Sequence, residues 1–254
     1  MQEYLQRQRF LYTIPCVSIV ALLFLVTGTS AAQVTTPPQT EVPWARDLAN
    51  NPELMTEFGR LTEKLQHGVQ FPAARSQSHL LTVQQGSTVF YTAFPNYGET
   101  IHQALTIFQG ELRDSAVLRT WWQHGYLAAY GPKMEDALEQ FYQLSQFLED
   151  EITVSAGTEG RQGPSLQILA QVRKPGLEDF LRQMANPVDG GSKPAFHVFN
   201  VQELSAAKEM FPPQQPVILV RPDLVVGTLD LGELKRLNAH LDGTAVDFAS
   251  TPFG

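Results

Sequence analysis

The chain has 254 residues, with 18 Lys and Arg against 26 Asp and Glu, and a formal net charge of −8 at pH 7. The acidic residues are dispersed, which favours solubility and argues against nucleic-acid binding, because a phosphate backbone requires clustered Lys and Arg. The one cysteine is Cys16. A chain cleaved after residue 32 therefore has no disulfide, no thiolate nucleophile and no cysteine-ligated metal.

The first 32 residues have the pattern of a bacterial signal sequence. Two arginines within the first ten residues precede an apolar run at 11–27, and small residues follow it. Export and signal peptidase require this order, with small side chains at positions −3 and −1. Ser30 and Ala32 fit those positions and place cleavage before Gln33, giving a periplasmic or secreted protein. The alternative is an uncleaved inner-membrane anchor, which needs about 20 predominantly apolar residues.

The mature part begins with a tether and a helix. Residues 33–50 are rich in Thr and Pro near their start and are predicted as a tether between membrane and folded part. A helix is predicted from Pro52 to about Gln66, since apolar residues recur at three- and four-residue steps and Pro suits the first helical position. Residues 79–83 are expected to be extended. The run Thr88–Phe94 is a predicted strand, because it is dense in β-branched and aromatic residues.

Three more helices are predicted before residue 150, so that 51–150 is a mainly helical part with one strong strand. They are Glu99–Leu112, Ala116–His124 with Asp114 or Ser115 as cap, and Pro132–Leu148 with a broad apolar stripe. Residues 151–254 change to strands separated by short helices. The predicted strands are Ile152–Ala156, Leu166–Val172, Phe196–Val201, Val217–Val220 and Leu224–Leu229, and the helices are Leu177–Met184, Val201–Met210 and Leu231–Leu241.

Hairpin pairs of strands separated by short helices predict an α+β fold, with an antiparallel sheet and helices packed mainly on one face. The chain ends shortly after Ser250-Thr251-Pro252, a sequence with which helices commonly begin. We therefore expect a C-terminal truncation, with a frayed terminus as the alternative.

One long stretch resembles a group of uncharacterised exported bacterial proteins of the domain-of-unknown-function kind. It runs from TVFYTAFPNYGETIHQALTIFQGELRDSAVLRTWW through GPKMEDALEQFYQLSQFLEDEITVSAG to PSLQILAQVRKPGLEDFL. The shared motifs are a strand ending in Pro-Asn, a helix-to-strand step at Phe147–Glu151, and a strand-to-helix turn at Lys174-Pro175-Gly176. The resemblance covers roughly residues 70–240 and implies an extracytoplasmic protein without assigned activity. It supplies no catalytic residue.

Acid/base hydrolysis is the enzymatic alternative. Glycoside cleavage needs two carboxylates about 5–10 Å apart across a cleft, often with aromatic walls. Glu149 and Glu151 are the candidates, although adjacent acids at a helix-to-strand step are usually a solvated corner. The six histidines show no i, i+4 pairing, so no metal site and no cofactor are predicted.

The adjacent pair Trp121-Trp122 is the other distinctive feature. One tryptophan in the core with its neighbour at the boundary is the structural interpretation, since adjacent helical residues point about 100° apart. An exposed aromatic that binds a partner or a saccharide is the functional alternative. Together these features favour a non-enzymatic binding or structural module of the bacterial envelope. Its expected partner is an envelope protein or glycan, and it meets the inner membrane only through the N-terminal segment.

Overall fold

The computed structural model describes residues 51–73, 75–124, 127–158, 165–186, 194–208 and 215–244. The predicted signal with Ser30, Ala32 and Gln33, the tether and the C-terminal helix start lie outside the described residues. The described chain forms two compact units. A helical unit comprises 51–71 and Gly98–Tyr142, and a sheet unit comprises Pro72–Tyr97 and the chain from Gln143 onward. The strand that sequence analysis placed with the helices thus belongs to the sheet unit.

Four helices build the helical unit: α1 (Pro52–Gly68), α2 (Gly98–Asp114), α3 (Ala116–Gln123) and most of α4 (Gly131–Ser145), with a 3₁₀ turn at Leu127–Ala129. Proline starts α1, and the Ser115 hydroxyl caps α3 by accepting from the backbone N–H of Leu118 at 3.2 Å. Helices α1, α2 and α3 contact one another, and each of them buries at least one leucine: Leu54, Leu61, Leu105 and Leu118. Burying each such leucine stabilises the unit by roughly 1.5–3 kcal/mol.

Polar contacts join α2 to α1 and to the residues just after the end of α1. The carboxylate of Glu111 is buried and accepts from the ammonium of Lys64 on α1. Beyond the end of α1, the backbone N–H of Gln70 donates to Oε1 of Gln103 and its carbonyl accepts from Oγ1 of Thr100, both at 2.8 Å. Because the buried carboxylate has its cationic partner, the cost of removing it from water is offset.

Six strands form one sheet in the order β1-β2-β3-β6-β5-β4. Their bounds are β1 Thr88–Pro95, β2 Leu148–Gly157, β3 Ser165–Val172, β4 His197–Phe199, β5 Val217–Val220 and β6 Leu224–Thr228. Three helices complete the unit: α5 (Leu177–Ala185), α6 (Val201–Ala206) and α7 (Leu231–Ala239). The α+β class and the mostly antiparallel sheet are confirmed. The exception is β4, which pairs parallel to β5.

A hydrophobic core cluster lies on one face of the sheet, and Ile152, Val154 and Ala170 are buried on the opposite face. Leu169, Val226 and Leu219 oppose one another on β3, β6 and β5, and none is measurably exposed. This face packs against Leu204 of α6, the three leucines of α7 and Leu80 of a 3₁₀ turn. That the remaining helices also lie mainly on this face stays a prediction. No helix in the described ranges is long and apolar enough to cross a membrane.

The local structure departs from the sequence analysis at three places. The segment 79–83 was predicted to be extended, but Leu80–Val83 forms a 3₁₀ turn, and Leu80 is part of the hydrophobic core. Helix α4 ends at Ser145, and Leu148 opens β2 by pairing with Val172. Strand β4 stops at Phe199 because Asn200 caps α6, its side chain accepting from the backbone N–H of Glu203 at 2.9 Å.

Candidate functional site

A cleft of about 630 Å³ lies in the sheet unit at the carboxyl ends of three strands. Strands β3 and β5 are both antiparallel to β6, and β4 is parallel to β5, so β3, β4 and β5 run in one direction. The residues just beyond their ends line the cleft: 172–178, 200–202 and 220–222. Ligands commonly bind outside the carboxyl ends of strands, in cavities of about 300–1,000 Å³. The volume of the cleft falls within this range.

The turn from β3 into α5 forms one wall of this cleft. Gly176 has φ of +96°, a left-handed conformation that an L side chain adopts only with strain. It precedes Leu177, whose side chain is 1% exposed and anchors the start of α5. The turn Lys174-Pro175-Gly176 that the sequence predicts is therefore confirmed, and it brings the preceding cationic residues to the cleft wall.

Three cationic residues and one acidic residue line the cleft. The guanidinium of Arg221 contacts Oδ1 of Asp242 at 2.9 Å and Oδ1 of Asn238 at 2.7 Å. The ammonium of Lys174 lies 4.6 Å from the centre of the Phe147 ring. Within the described ranges it has no acidic partner. The acid is Glu178, which accepts from Arg182 one turn further along α5.

The third cation, Arg173, connects the cleft to one of the predicted catalytic carboxylates. Its Nη2 donates to Oδ1 of Asp150 at 2.7 Å, and its Nε donates to Oε2 of Glu149 at 3.3 Å. All three side chains are about half exposed or more, with Asp150 at 66%. Such exposed pairs contribute about 0–1 kcal/mol each. The corner at Glu149 and Asp150 is thus solvated, as the structural interpretation of these acids expects.

Glu151 has a different environment from Glu149. It is 2% exposed, and its carboxylate accepts from the Ser78 hydroxyl, from the backbone N–H of His79 at 2.8 Å and from the Tyr91 hydroxyl at 3.4 Å. Arg75 adds a cation 3.5 Å away. This network holds the segment before β1 against β2. Burial, together with the neighbouring carboxylate, raises the pKa of Tyr91 to about 12.

The two predicted catalytic residues therefore differ in access: Glu149 is open to solvent, whereas the carboxylate of Glu151 is enclosed by donors. Glycoside hydrolysis requires both carboxyl groups to face the same substrate bond. The structure gives Glu151 a structural role as an acceptor. Its catalytic role stays a prediction.

The tryptophan pair lies in the helical unit. Trp122 is 7% exposed, its indole Nε1 donates to Oε1 of Glu135 at 2.7 Å, and its ring packs edge-on to Phe108 at 4.7 Å. Trp121 is partly exposed and packs edge-on to Phe58 at 4.9 Å. One ring is in the core and its neighbour is at the boundary. Both rings are used in packing, and a binding role for them stays a prediction.

Sequence reasoning did not identify the cleft. A signal was available, because β3 and β5 are each followed within two residues by a basic residue that precedes a proline, Lys174-Pro175 and Arg221-Pro222. Both were interpreted only as turns. In the described ranges, no group of three or more His, Cys, Asp or Glu side chains is placed to hold a metal ion.

Comparison with known proteins adds no relative to this picture. No protein-family model, no curated protein and no solved structure matches the chain. The resemblance to exported proteins of unknown function stays a prediction. The geometry of the cleft is therefore the basis for assigning a function.

Proposed function

We propose that the chain is an extracytoplasmic binding module of the bacterial envelope and that the cleft at the ends of β3, β4 and β5 is its binding site. Residues 1–32 would export it, and residues 33–50 would tether the folded part to the membrane until cleavage before Gln33. The observation that carries the binding role is the convergence of three strand ends on one cleft of about 630 Å³. An envelope protein or glycan would present its ligand group there.

The side chains of the cleft favour recognition over catalysis. The described residues that line it include no Ser, Thr, Cys or His, the usual sources of a nucleophile or a proton shuttle. Its acid, Glu178, is engaged by Arg182, whose Nη2 lies 2.7 Å from Oε1. What remains is a set of cationic, amide and apolar groups. Small-ligand sites combine apolar lining with a few polar or charged groups in this way.

A cleft-blocking substitution tests the location of the site. We would titrate the full chain with sugars, lipids and envelope fragments and record the thermal midpoint, which a ligand of the native state raises by mass action. Val201→Trp at the cleft should abolish the shift. Val89→Trp is the matched control, since Val89 is an exposed valine on β1 outside the cleft. Undiminished binding by Val201→Trp would show that the ligand binds elsewhere.

The export part of the proposal has a separate test. Expression of the full chain in a bacterium, followed by N-terminal sequencing of the envelope fraction, should give a chain that begins at Gln33. A chain that keeps its N-terminus and stays with the membrane would instead identify an anchor.

The hydrolase alternative makes a different prediction. Turnover of a glycan by the wild type, lost in the double variant Glu149→Gln with Glu151→Gln, would replace the binding role by catalysis. A binding module should keep its ligand in that variant, provided that the thermal midpoint shows that it still folds.

A further inference from the structure

We infer that the ligand of the cleft is an organic anion, bearing a carboxylate or a phosphate, and that Lys174 receives the anionic group. This inference rests on the proposed function, because it names the ligand class of the same site. Three independent properties of the cleft lead to it: the sign of its charge, the availability of its cations, and the apolar character of the rest of its lining.

The charge of the lining is opposite to that of the chain. Arg173, Lys174 and Arg221 supply three positive charges and Glu178 one negative charge, so the lining carries a formal +2. The chain as a whole carries −8. A concave surface concentrates the field of its side chains and raises the local concentration of ions of opposite sign. Because Arg173 and Arg221 are already paired with the carboxylates of residues 149, 150 and 242, the positive charge that is most available to a ligand is that of Lys174.

The cations can also accept a new partner. Lys174 contacts the Phe147 ring, and no acidic partner lies within the described ranges. Arg173 is 42% exposed and its two carboxylate partners are exposed as well, so exchanging them for a ligand costs little. Arg221 is only 18% exposed and is held by Asn238 and Asp242, which fixes its direction. Lys174 is thus the cation most available to bind the anionic group, and Arg173 can provide a second contact to it.

The remaining lining indicates an organic body on the ligand and not a bare ion. Six of the other lining side chains are apolar, and Asn200 and Gln202 add amide groups; the apolar ones are Val172, Pro175, Leu177, Val201, Val220 and Pro222. Apolar surface that leaves water on binding adds favourable free energy in proportion to its area. The anionic group would orient the ligand in the cleft, and the apolar part of the ligand would make most of the contact with the cleft wall.

The experiment compares matched probes on the full chain by isothermal titration calorimetry. The probes are 4-phenylbutyrate, phenyl phosphate and the neutral 4-phenylbutanol, at 20 and 200 mM salt. Vesicles of phosphatidylglycerol and of phosphatidylcholine distinguish a lipid headgroup from a free anion. Lys174→Gln should weaken binding of the anionic probes about tenfold, because it removes a charge-assisted contact. Lys208→Gln is the control, since Lys208 is exposed in the same unit but lies outside the cleft.

Anionic probes that bind more tightly than 4-phenylbutanol, and that are weakened by Lys174→Gln but not by Lys208→Gln, support the inference. Binding by phosphatidylglycerol vesicles alone supports it with a headgroup as the source. Equal affinity for the neutral probe, or no effect of Lys174→Gln, overturns the anionic ligand and leaves the cleft as a site. Binding that survives Val201→Trp, or no binding of any probe, overturns both the inference and the proposed site.

Discussion

Gly131, the first residue of α4, lies against the indole ring of Trp122. A Cβ at this position would be 2.7 Å from Cε2, 2.8 Å from Cζ2 and 3.0 Å from Nε1 of that ring. Non-bonded carbon atoms are at their optimum separation at about 3.5–4.0 Å. Gly131→Ala therefore forces the ring or the start of α4 to move by roughly 1 Å. The hydrogen bond from Nε1 to Glu135 would be strained with it.

The expected cost follows from these contacts. Overpacking a well-filled core costs about 1–3 kcal/mol, and weakening a buried hydrogen bond adds up to about 1 kcal/mol. Replacing glycine by alanine also stabilises the folded state by less than about 1 kcal/mol, because it lowers the conformational entropy of the unfolded chain. We expect Gly131→Ala to destabilise the helical unit by about 1–3 kcal/mol. For a unit of this size, each kcal/mol lowers the melting midpoint by roughly 4–8 °C.

Tryptophan fluorescence during thermal and urea unfolding measures this effect, since Trp121 and Trp122 are two of the chain's three tryptophans. The matched control is Gly59→Ala in the middle of α1, where a Cβ meets nothing within 4 Å. The control should stabilise the same unit by about 0.5–1 kcal/mol. A Gly131→Ala variant as stable as the wild type would refute the packing argument, because the contact with Trp122 is the reason to expect a loss of stability at this position.

Three further predictions concern the sheet unit. Leu234→Ala should destabilise it by about 2–5 kcal/mol in urea unfolding, because Leu234 is fully buried in the core; a loss below 1 kcal/mol would contradict that placement. Gly176→Ala should cost about 1–2 kcal/mol by the same measurement, because of its positive φ, and an unchanged midpoint would argue against the left-handed turn. The pKa of Tyr91 is raised to about 12 in the folded state, against about 10 unfolded, so its contribution is complete below pH 10 and is lost as the pH rises towards 12. Melting midpoints of the wild type should therefore fall relative to Tyr91→Phe over that window, and a constant difference would refute the assignment.

Local patterns predicted most of the helices and strands because their signals lie within the elements themselves. Proline at position 52, the hydroxyl of Ser115 and the β-branched run of β1 each act within a few residues. The ends of helices and strands were less predictable where a residue fits both the helical and the strand pattern of apolar residues. Leu148 extends the apolar stripe of α4 in the sequence, yet in the structure it is the first residue of β2, where it pairs with Val172.

Long-range arrangement was harder to predict. The parallel pairing of β4 with β5 depends on a connection through α6 that leads back beside β4, and hairpin spacing carries no information about it. The cleft depends on the same crossover, because it gathers segments that begin at Val172, Asn200 and Val220. Arg173 and Lys174 are adjacent in the sequence, but Arg221 joins them in the lining of the cleft only after the sheet is assembled. Motif analysis therefore identified Lys174-Pro175-Gly176 as a turn but did not identify it as part of a site.

The discontinuity of the helical unit has a consequence for how the chain is made. The segment Pro72–Tyr97 belongs to the sheet unit but is synthesised before the rest of that unit. More than fifty residues must be synthesised after β1 before its partner β2 begins. From Ser76 to Gly98 the sequence contains no Asp, Glu, Lys or Arg. A neutral, aromatic strand that waits without its neighbour is prone to pair with other chains. Strand β1 is therefore an aggregation-prone segment of the nascent protein until β2 has been synthesised.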